Sequence, residues 1–465
     1  MLIIDKIKEY LLRNTANDIK QENKSKMNTA INTWLKMYKG QATWVNIADG
    51  IYSAGIEQTL VRSMRNKILA ESTIEITGDS ERAQQLKNSI DGMLLNLNNN
   101  LEKALVTGGF ILKPYPKAND EIGIEFVLQG NFIPFAFDDN GNLIDVGFLT
   151  QIKKGKRNYS KIERHTLKSD GYYIQNSAYC DDREVPLTDV EEWAEIKEKD
   201  KLDSTINLYG YYRVPLTNTV DLNSPLGISF YEPAKQLIEL ADKQMSRLDW
   251  EYNGGQMAVD VDEQALDYPV ERGYFNHKVE LDECQKRLYR GLDLGDDKLY
   301  EVFAPALRDQ NFMNGLNNYY KAIEDKVGVS RGTLSDVSEQ PKTATEIVSS
   351  KQREYLTVSE HQKALERCLL QLFDALVVYS NFSGNKGDCK LTIDWGDSVL
   401  VDRQAELQEK IMLMQNGILR PEEVRGYYLN QKPEEAVKGL PETDLMGDLF
   451  GDDDNDGEAA GADNE

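Results

Sequence analysis

The chain has 465 residues, of which 40% are hydrophobic and 28% are charged, and its formal net charge is −24. This length predicts about three domains of roughly 150 residues, and the composition is that of a globular protein rather than a fibrous or low-complexity one. The acidic balance disfavours a broad phosphate-binding surface, and therefore strong static binding to DNA.

The sequence also bears on the location of the protein. No segment has the roughly 18 consecutive apolar residues of a bilayer span, so we expect no membrane insertion. Charged residues interrupt the apolar run at positions 2–12, so we expect no secretory signal there. The four cysteines lie far apart and form no C-x-x-C pair, which fits a reducing compartment.

The N-terminal half is predicted to be helical first and then mixed α/β. Residues 1–39 have apolar side chains at helical spacing, whereas from about residue 71 the period shortens to that of strands. Residues 139–142, Asp-Asn-Gly-Asn, supply a hairpin turn. Strands are predicted at 72–77, 109–113, 122–128, 132–137 and 143–152.

Two amphipathic helices follow, with a polar excursion between them. The helices at 229–252 and 309–328 have apolar residues at intervals of three and four. The excursion, 253–308, is turn-rich and has strand candidates at 257–261 and 299–303.

The C-terminal part is predicted to be mainly helical and to end without a core. A capping box at Thr343 and Glu346 begins a long helix. The last 25 residues contain ten acids and no Lys or Arg, which indicates a disordered acidic tail. The predicted segments are a polar loop at 329–342, a long helix at 343–380, a strand region at 381–399, short helices within 400–440 and the tail at 441–465.

Signals for metal binding and catalysis are weak. Asp260 with Asp262, and Asp394 with Asp397, could hold Mg²⁺ in a nuclease, but such pairs are common in a chain with 78 acids. The three histidines form no metal-binding pair, and the P-loop and G-x-S-x-G motifs are absent. We therefore predict no catalytic residue, no metal and no cofactor, and keep a metal-dependent DNA-processing enzyme as the alternative.

Two further patterns have simple interpretations. Residues 452–463 begin like a calcium-binding loop, but Asp463 stands where the bidentate Glu belongs, so we interpret the match as accidental. Residues 153–168 carry seven Lys and Arg side chains around a turn at Gly155. We interpret them as a solvated hairpin whose lysines block edge pairing, rather than as a nucleic-acid patch.

Four collinear segments carry a resemblance to a known family. They are FIPFAFDDNGNLIDVGFL (132–149), NSPLGISFYEPAKQLIELAD (223–242), VGVSRGTLSD with KTATEIVSSKQREY (327–355) and LTIDWGDSVLVDRQAEL (391–407). With them, the chain resembles the portal proteins of tailed bacteriophages, in particular those of siphophages and prophages of Gram-positive hosts. The resemblance covers roughly residues 40–440, and no single piece is as specific as a P-loop.

The resemblance implies an α+β, portal-type protomer with a mixed α/β wing, a two-helix stem, a small α/β clip, a long wing helix and a helical C-terminal crown. The implied parts are an N-terminal helical segment (1–44), the wing (45–228), stem helices (229–252 and 309–328), the clip (253–308), a tunnel loop (329–342), the long wing helix (343–380), a wing strand region (381–399), the crown (400–440) and the acidic tail (441–465).

The resemblance also implies a function as a conduit. Portal proteins form a ring, typically of twelve copies, at one capsid vertex of the virion, after assembly in the host cytoplasm. Double-stranded DNA passes through the ring in packaging and ejection. The implied partners are the terminase, the major capsid and scaffolding proteins and a head-completion (connector) protein, with no membrane. A protein–protein adaptor that never contacts DNA stays open as a third possibility.

The residues implied to face DNA lie in the tunnel loop. Its charges cancel, so we expect weak, non-specific contact with the DNA backbone and no base reading. The expected DNA-facing residues are Ser330, Arg331, Thr333, Ser335, Asp336, Ser338, Gln340 and Lys342.

The apolar stripes of the two stem helices are expected to form the ring interface. A thin two-helix stem cannot bury both stripes alone, so we expect neighbouring copies to cover them in a cyclic, heterologous interface. The expected interface residues are Leu237, Ile238, Ala241, Met245, Leu248, Phe312, Leu316, Tyr319, Tyr320 and Ile323.

Overall fold

The computed structural model describes residues 18–117, 121–180, 183–262, 289–292, 300–336, 344–396 and 403–429. Long helices combine with mostly antiparallel sheets, which confirms the predicted α+β class. The chain divides into two compact units, Met1–Gly396 and Asp397–Glu465. Within the described ranges, no helix has both the length and the hydropathy of a bilayer span.

Eight α-helices are described, and six of them belong to the first unit. Those predicted at 229–252, 309–328 and 343–380 are present with bounds shifted by a few residues, whereas α2 and α3 had not been predicted individually. The helices are α1 (Asp18–Tyr38), α2 (Ile56–Leu69), α3 (Glu81–Thr107), α4 (Lys235–Gly254), α5 (Asp309–Val327), α6 (Ala344–Phe382), α7 (Arg403–Gln415) and α8 (Pro421–Leu429).

The described strands include all those predicted from the sequence, with bounds within a few residues. They are β1 (Thr73–Thr77), β2 (Gly109–Pro116), β3 (Ile122–Leu128), β4 (Phe132–Phe137), β5 (Leu143–Lys154), β6 (Arg157–Lys168), β7 (Gly171–Cys180), β8 (Arg183–Val185), β9 (Lys199–Leu202), β10 (Gly210–Arg213), β11 (Ala258–Asp262), β12 (Tyr289–Leu292), β13 (Tyr300–Phe303) and β14 (Lys390–Asp394).

These strands form four sheets. The largest has the order β4-β5-β6-β7-β8, with β9 also paired to β7, and the others are β10-β2-β3, β12-β11-β13 and β1-β14. All pairs are antiparallel except β11 with β12. The turn predicted at 139–142 joins β4 to β5, where Asp138 accepts hydrogen bonds from the backbone N–H groups of Asn140 and Asn142 at 3.0 and 2.7 Å.

One continuous apolar core joins α1, α2 and α3 to the β10-β2-β3 sheet, to the first half of α4, to α5 and to α6 between Val358 and Leu376. Close approach of backbones in this core requires a glycine at 210, because a Cβ there would lie 2.2 Å from the carbonyl oxygen of Cys368 on α6. The long helix α6 therefore packs directly against β10.

In the second unit, α7 and α8 form a short helical pair. The Lys410 ammonium lies 4.3 Å from the centre of the Tyr427 ring. Gly417, with φ of 70°, follows α7, and the predicted stop signal at this position is therefore present. The acidic tail and its calcium-loop pattern lie outside the described residues.

Candidate functional site

The two amphipathic helices α4 and α5 run antiparallel and pack against each other. Near the end of α4, the Glu251 carboxylate accepts three hydrogen bonds from Arg308, one from its backbone N–H and two from its guanidinium, at 2.8–3.1 Å. Further along, Gln244 Nε2 donates to the carbonyl oxygen of Phe312 at 3.3 Å. These contacts fix the register of the pair, and the hydrogen bonds from Arg308 hold the pKa of Glu251 below its ordinary value.

Half of the apolar side chains expected at the ring interface are already covered within one chain. The two helices bury much of their stripes against each other and against the core, so the argument that neighbouring copies must seal these side chains is corrected. Half-buried members of the set are Leu237, Met245, Phe312, Tyr319 and Tyr320. Buried members are Ile238, Ala241, Leu248, Leu316 and Ile323.

Other large apolar side chains of the helix pair remain exposed. Trp250 is 69% exposed, Leu240 43% and Met313 44%. The adjoining edge strand β13 is exposed along its whole length, Tyr300–Phe303. Leu240 and Trp250 lie off the apolar stripe of α4, so helical periodicity did not identify them. Met313 lies on the stripe of α5, and its exposure in one chain is apparent only from the fold.

The loop that follows α5 is anchored by the buried carboxylate of Glu324. Gly328, with φ of 83°, ends the helix and turns the chain back. Glu324 Oε1 then accepts from the backbone N–H groups of Gly332, Leu334 and Ser335 at 3.2, 2.6 and 2.9 Å. Its Oε2 accepts from the Ser335 hydroxyl at 2.7 Å. One carboxylate thus fixes four donors of the loop.

A second carboxylate ties the loop to the long helix. Asp325 accepts from Arg331 Nη2 at 2.7 Å and from Arg353 Nη1, on α6, at 2.5 Å. The hydrogen bond from Arg331 is the main reason that the pKa of Asp325 lies below its ordinary value. Arg331, which the sequence assigned to DNA, is therefore half-exposed and ion-paired within its own chain.

A third carboxylate, Glu354 of α6, joins the loop to α2. It accepts from the Ser330 hydroxyl at 2.5 Å and forms a salt bridge with Lys67. Burial acts to raise the pKa of Glu354, but the hydrogen bonds from Lys67 and Ser330 outweigh it and hold the pKa below its ordinary value. Sequence reasoning missed Glu324 and Glu354, since nothing in a linear pattern brings a helix carboxylate to a distant loop.

The remaining residues of the loop that were predicted to face DNA differ in their exposure to solvent. Asp336 is exposed, and its backbone N–H donates to Asn317 Oδ1 at 3.0 Å. Thr333 is half-buried and donates to the carbonyl oxygen of Ser330 at 2.8 Å. Ser335 is buried with its hydroxyl engaged by Glu324, so its expected exposure to DNA is corrected. Outside the described residues lie Ser338, Gln340 and Lys342.

A pair of buried acids lies at the base of α4. Asp242 accepts from Trp44 Nε1 at 2.8 Å and from the backbone N–H of Ala54 at 2.9 Å, while its burial raises its pKa. Glu57 is almost fully buried, and neither of its carboxylate oxygens has a hydrogen-bond partner in the part of the chain that the structure describes. Its burial raises the pKa of Glu57 to about 7.

The basic hairpin is solvated in part. Its turn at Gly155 is present, and Lys153 and Lys156 are exposed as expected. Lys161 is instead buried beside Glu163, with Nζ 3.2 Å from Oε2. Arg164 is likewise paired, at 2.9 and 2.6 Å to Asp145. These two cations stabilise the sheet, which removes them from any nucleic-acid patch.

Of the two candidate carboxylate pairs for a metal or nuclease site, the structure describes Asp260 and Asp262 on β11 and only Asp394 of the second pair. In the described ranges, no group of three His, Cys, Asp or Glu side chains is placed to hold a metal ion. Asp394 accepts from the backbone N–H of Gly396 at 3.1 Å, and Asp397 lies outside the described residues. His361 is buried, which lowers its pKa to about 3 and keeps it neutral. None of these residues supports the enzyme alternative.

Comparison with known proteins finds one family model that spans most of the chain. A family model described as "Phage portal protein, SPP1 Gp6-like" matches residues 4–438. A search of curated proteins finds no match. The matched range includes the helix pair, the anchored loop and the long helix. The chain therefore belongs to the phage portal protein family.

Proposed function

We propose that this portal protein forms a closed ring, typically of twelve copies, that conducts double-stranded DNA through the capsid vertex in packaging and ejection. Family membership implies a homo-oligomeric ring, a place at the capsid vertex and association with capsid and terminase. The copy number, the residue assignments and the head-completion and scaffolding partners are part of the proposal. The observation that carries it is the helix pair with apolar side chains left uncovered in one chain.

The proposed assignment of parts follows the helix pair. The α4 and α5 helices are the stem, the β12-β11-β13 sheet belongs to the clip and α6 is the long wing helix. The loop after α5 is the tunnel loop, and α7 with α8 belong to the crown. The wing is built on the β4-β5-β6-β7-β8 and β10-β2-β3 sheets.

The proposed ring interface consists of the exposed and half-buried apolar residues of the helix pair rather than the buried ones. Trp250, Leu240 and Met313 can each lose solvent contact against an adjacent copy, and burial of a large apolar side chain stabilises by about 1.5–3 kcal/mol. A ring requires two different surfaces of each copy to meet, because its contacts are head-to-tail.

Negative-stain imaging tests this interface. We expect the purified wild-type chain to form closed rings with an axial hole wide enough for duplex DNA, and Trp250→Ser with Met313→Ser to lower the fraction of closed rings. Leu95→Ser is the matched control, since Leu95 is 83% exposed on α3, away from the helix pair. A chain that stays a monomer, or rings unaffected by the double variant, contradicts the proposal.

The proposed DNA-facing residues are the exposed part of the loop, Arg331 and Asp336, with Thr333 at its edge and Ser338, Gln340 and Lys342 beyond it. An in vitro packaging assay with Arg331→Ala and Lys342→Ala tests their role, and we expect altered packaging or retention of DNA. Arg353→Ala is the matched control, because it removes the other partner of Asp325 without changing the loop sequence. An equal effect of the control would assign the result to loop anchoring rather than to DNA contact.

The proposed activity is structural, and ATP hydrolysis belongs to the terminase. Purified protein incubated with plasmid DNA and Mg²⁺ is expected to leave the plasmid intact. Cleavage that Asp394→Asn abolishes would instead support the DNA-processing enzyme.

A further inference from the structure

A pocket of about 510 Å³ lies between α6 and the chain around residues 207–226. One wall is provided by α6, where Glu360, Lys363, Arg367 and Gln371 recur at intervals of three and four. The portal function proposed above does not use this pocket, which is formed entirely within one chain.

The pocket is electropositive in an acidic protein. Its lining includes three cations, Lys363, Arg367 and Arg213, and of the described residues that line it Glu360 is the one acid. Arg213 is held in place by donating from Nη1 to the Pro225 carbonyl oxygen at 2.7 Å. Lys363 and Arg367 are exposed and make no hydrogen bond or ion pair with any described residue. Two cations are therefore available to an incoming anion.

One residue of the pocket lining, Asn207, has an acceptor that lacks a donor among the described residues. Asn207 lines the wall, and its Nδ2 donates to the Leu143 carbonyl oxygen at 3.0 Å, which fixes the orientation of the amide. Its Oδ1 is buried and has no partner among the described residues. An unsatisfied buried acceptor is costly, so a ligand with an N–H group is favoured here. The phosphodiester backbone of DNA offers no donor, and inorganic phosphate offers only an O–H group.

Apolar surface completes the lining. Leu222 is 79% exposed beside the pocket, and Leu216 and two prolines lie on the same side. The ligand that fits must therefore combine negative charge, N–H donors and apolar groups, and a peptide containing Asp or Glu has all three.

We propose that this pocket binds an acidic peptide segment of a partner protein, with carboxylates on Lys363 and Arg367 and a backbone N–H on Asn207. This inference does not depend on ring formation or on DNA passage.

Fluorescence anisotropy with the full chain tests the proposal. The probe is a fluorescein-labelled peptide, Gly-Asp-Leu-Asp-Phe-Asp-Gly, compared with the same peptide carrying Asn in place of Asp. We expect the acidic probe to bind at least tenfold more tightly than the amide probe. We also expect Lys363→Gln with Arg367→Gln to weaken binding of the acidic probe at least tenfold.

The matched control is Lys351→Gln with Lys386→Gln, which removes the same charge from exposed positions outside the pocket and should leave the affinity unchanged. Thermal melting of both double variants establishes that they are folded. Equal affinity of the two probes, or an equal loss in the pocket and control variants, overturns the proposal.

Competition separates a peptide site from a general anion site. We expect displacement of the acidic probe to require at least a hundredfold molar excess of inorganic phosphate or of a 20-base-pair DNA duplex over unlabelled acidic peptide. Displacement by either competitor at the concentration at which the unlabelled peptide acts would overturn the assignment to a peptide.

Discussion

The conformation of the loop after α5 depends mainly on one side chain of that helix, Glu324. Glu324 is itself buried and accepts four hydrogen bonds from the loop, two of them buried and two partly buried. Glu324→Gln presents an NH₂ group to donors and is expected to destabilise the chain by about 1–3 kcal/mol. The measurement is urea unfolding together with limited proteolysis within 329–336.

The control for that variant is Glu75→Gln, an exposed position on β1. We expect it to change neither the unfolding midpoint nor the proteolysis pattern. Unchanged cleavage within the loop of the Glu324→Gln chain would show that the carboxylate does not anchor it.

Glu57 gives the stability of the protein a dependence on pH. Burial raises its pKa from 4.5 to about 7, so the folded state holds this proton more tightly than the unfolded state. The protonated carboxyl therefore contributes to the free energy of unfolding below about pH 4.5, and this contribution is lost as the pH rises through about 7. Because one unit of pKa corresponds to about 1.4 kcal/mol, the free energy of unfolding falls by an amount of the order of 3 kcal/mol.

Glu57→Gln removes this ionisation while keeping the side-chain shape. We expect the variant to unfold at a higher urea concentration than the wild-type chain at pH 8, and at a similar one at pH 4. A wild-type advantage at pH 8 would mean that the charged carboxylate is stabilised by a group near it.

The roles of some individual residues could be predicted from the sequence, and the roles of others could not. Turn positions such as Gly141 and Gly155 follow from local backbone preference, and their positive φ values agree. The loop carboxylates Glu324 and Glu354 could not be predicted, because their roles arise from tertiary contacts. For the same reason, the sequence assigned Ser335 to DNA although its hydroxyl is used internally.

At the level of elements, one ion pair connects the ends of α4 and α5. The Glu251 carboxylate accepts the backbone N–H and the guanidinium of Arg308, where α5 begins. Arg308→Gln removes the guanidinium bonds and keeps the backbone one. We expect faster hydrogen–deuterium exchange at 250–254 and 308–313, measured by mass spectrometry, and no change in α3. If exchange accelerated equally in α3, the variant would have lost global stability rather than the local contact between α4 and α5.

The spacing of apolar residues at intervals of three and four predicted the amphipathic helices, because one face of each helix packs against the core. It did not single out α3, although Leu86, Ile90, Met93 and Leu97 recur at helical spacing and are buried. The polar, asparagine-rich residues between them obscured the pattern. Periodicity also could not tell whether a stripe is covered by the same chain or by another, which is why half of the expected interface is internal.

At the level of the whole molecule, the charge of −24 governs how the protein meets DNA. A surface of this sign repels phosphates and gives little counterion release, so we expect weak binding. A gel-shift assay with a 30-base-pair duplex at roughly 10 µM protein and 100 mM salt is expected to show no shift, in the range of weak non-specific binding. A stable complex at submicromolar protein would contradict the view of a weakly interacting channel.

The order of elements along the chain could be predicted, and so could membership of the family, since both depend on local pattern and collinear segments. The pairing of β1 with β14, more than 300 positions apart, could not, because no local pattern specifies such a partner. The same holds for the seating of α6 on β10.

The anchoring of the loop has a mechanical consequence. Ser330 is joined through Glu354 to Lys67 of α2, and Asp325 connects the loop to Arg353 of α6, a helix of 39 residues. A force applied to the loop along the helix pair is therefore transmitted through these hydrogen bonds and salt bridges to two separate helices, α2 and α6. At the 1.5 Å rise of an α-helix, the part of α6 from Arg353 to Phe382 carries that strain about 44 Å along the helix.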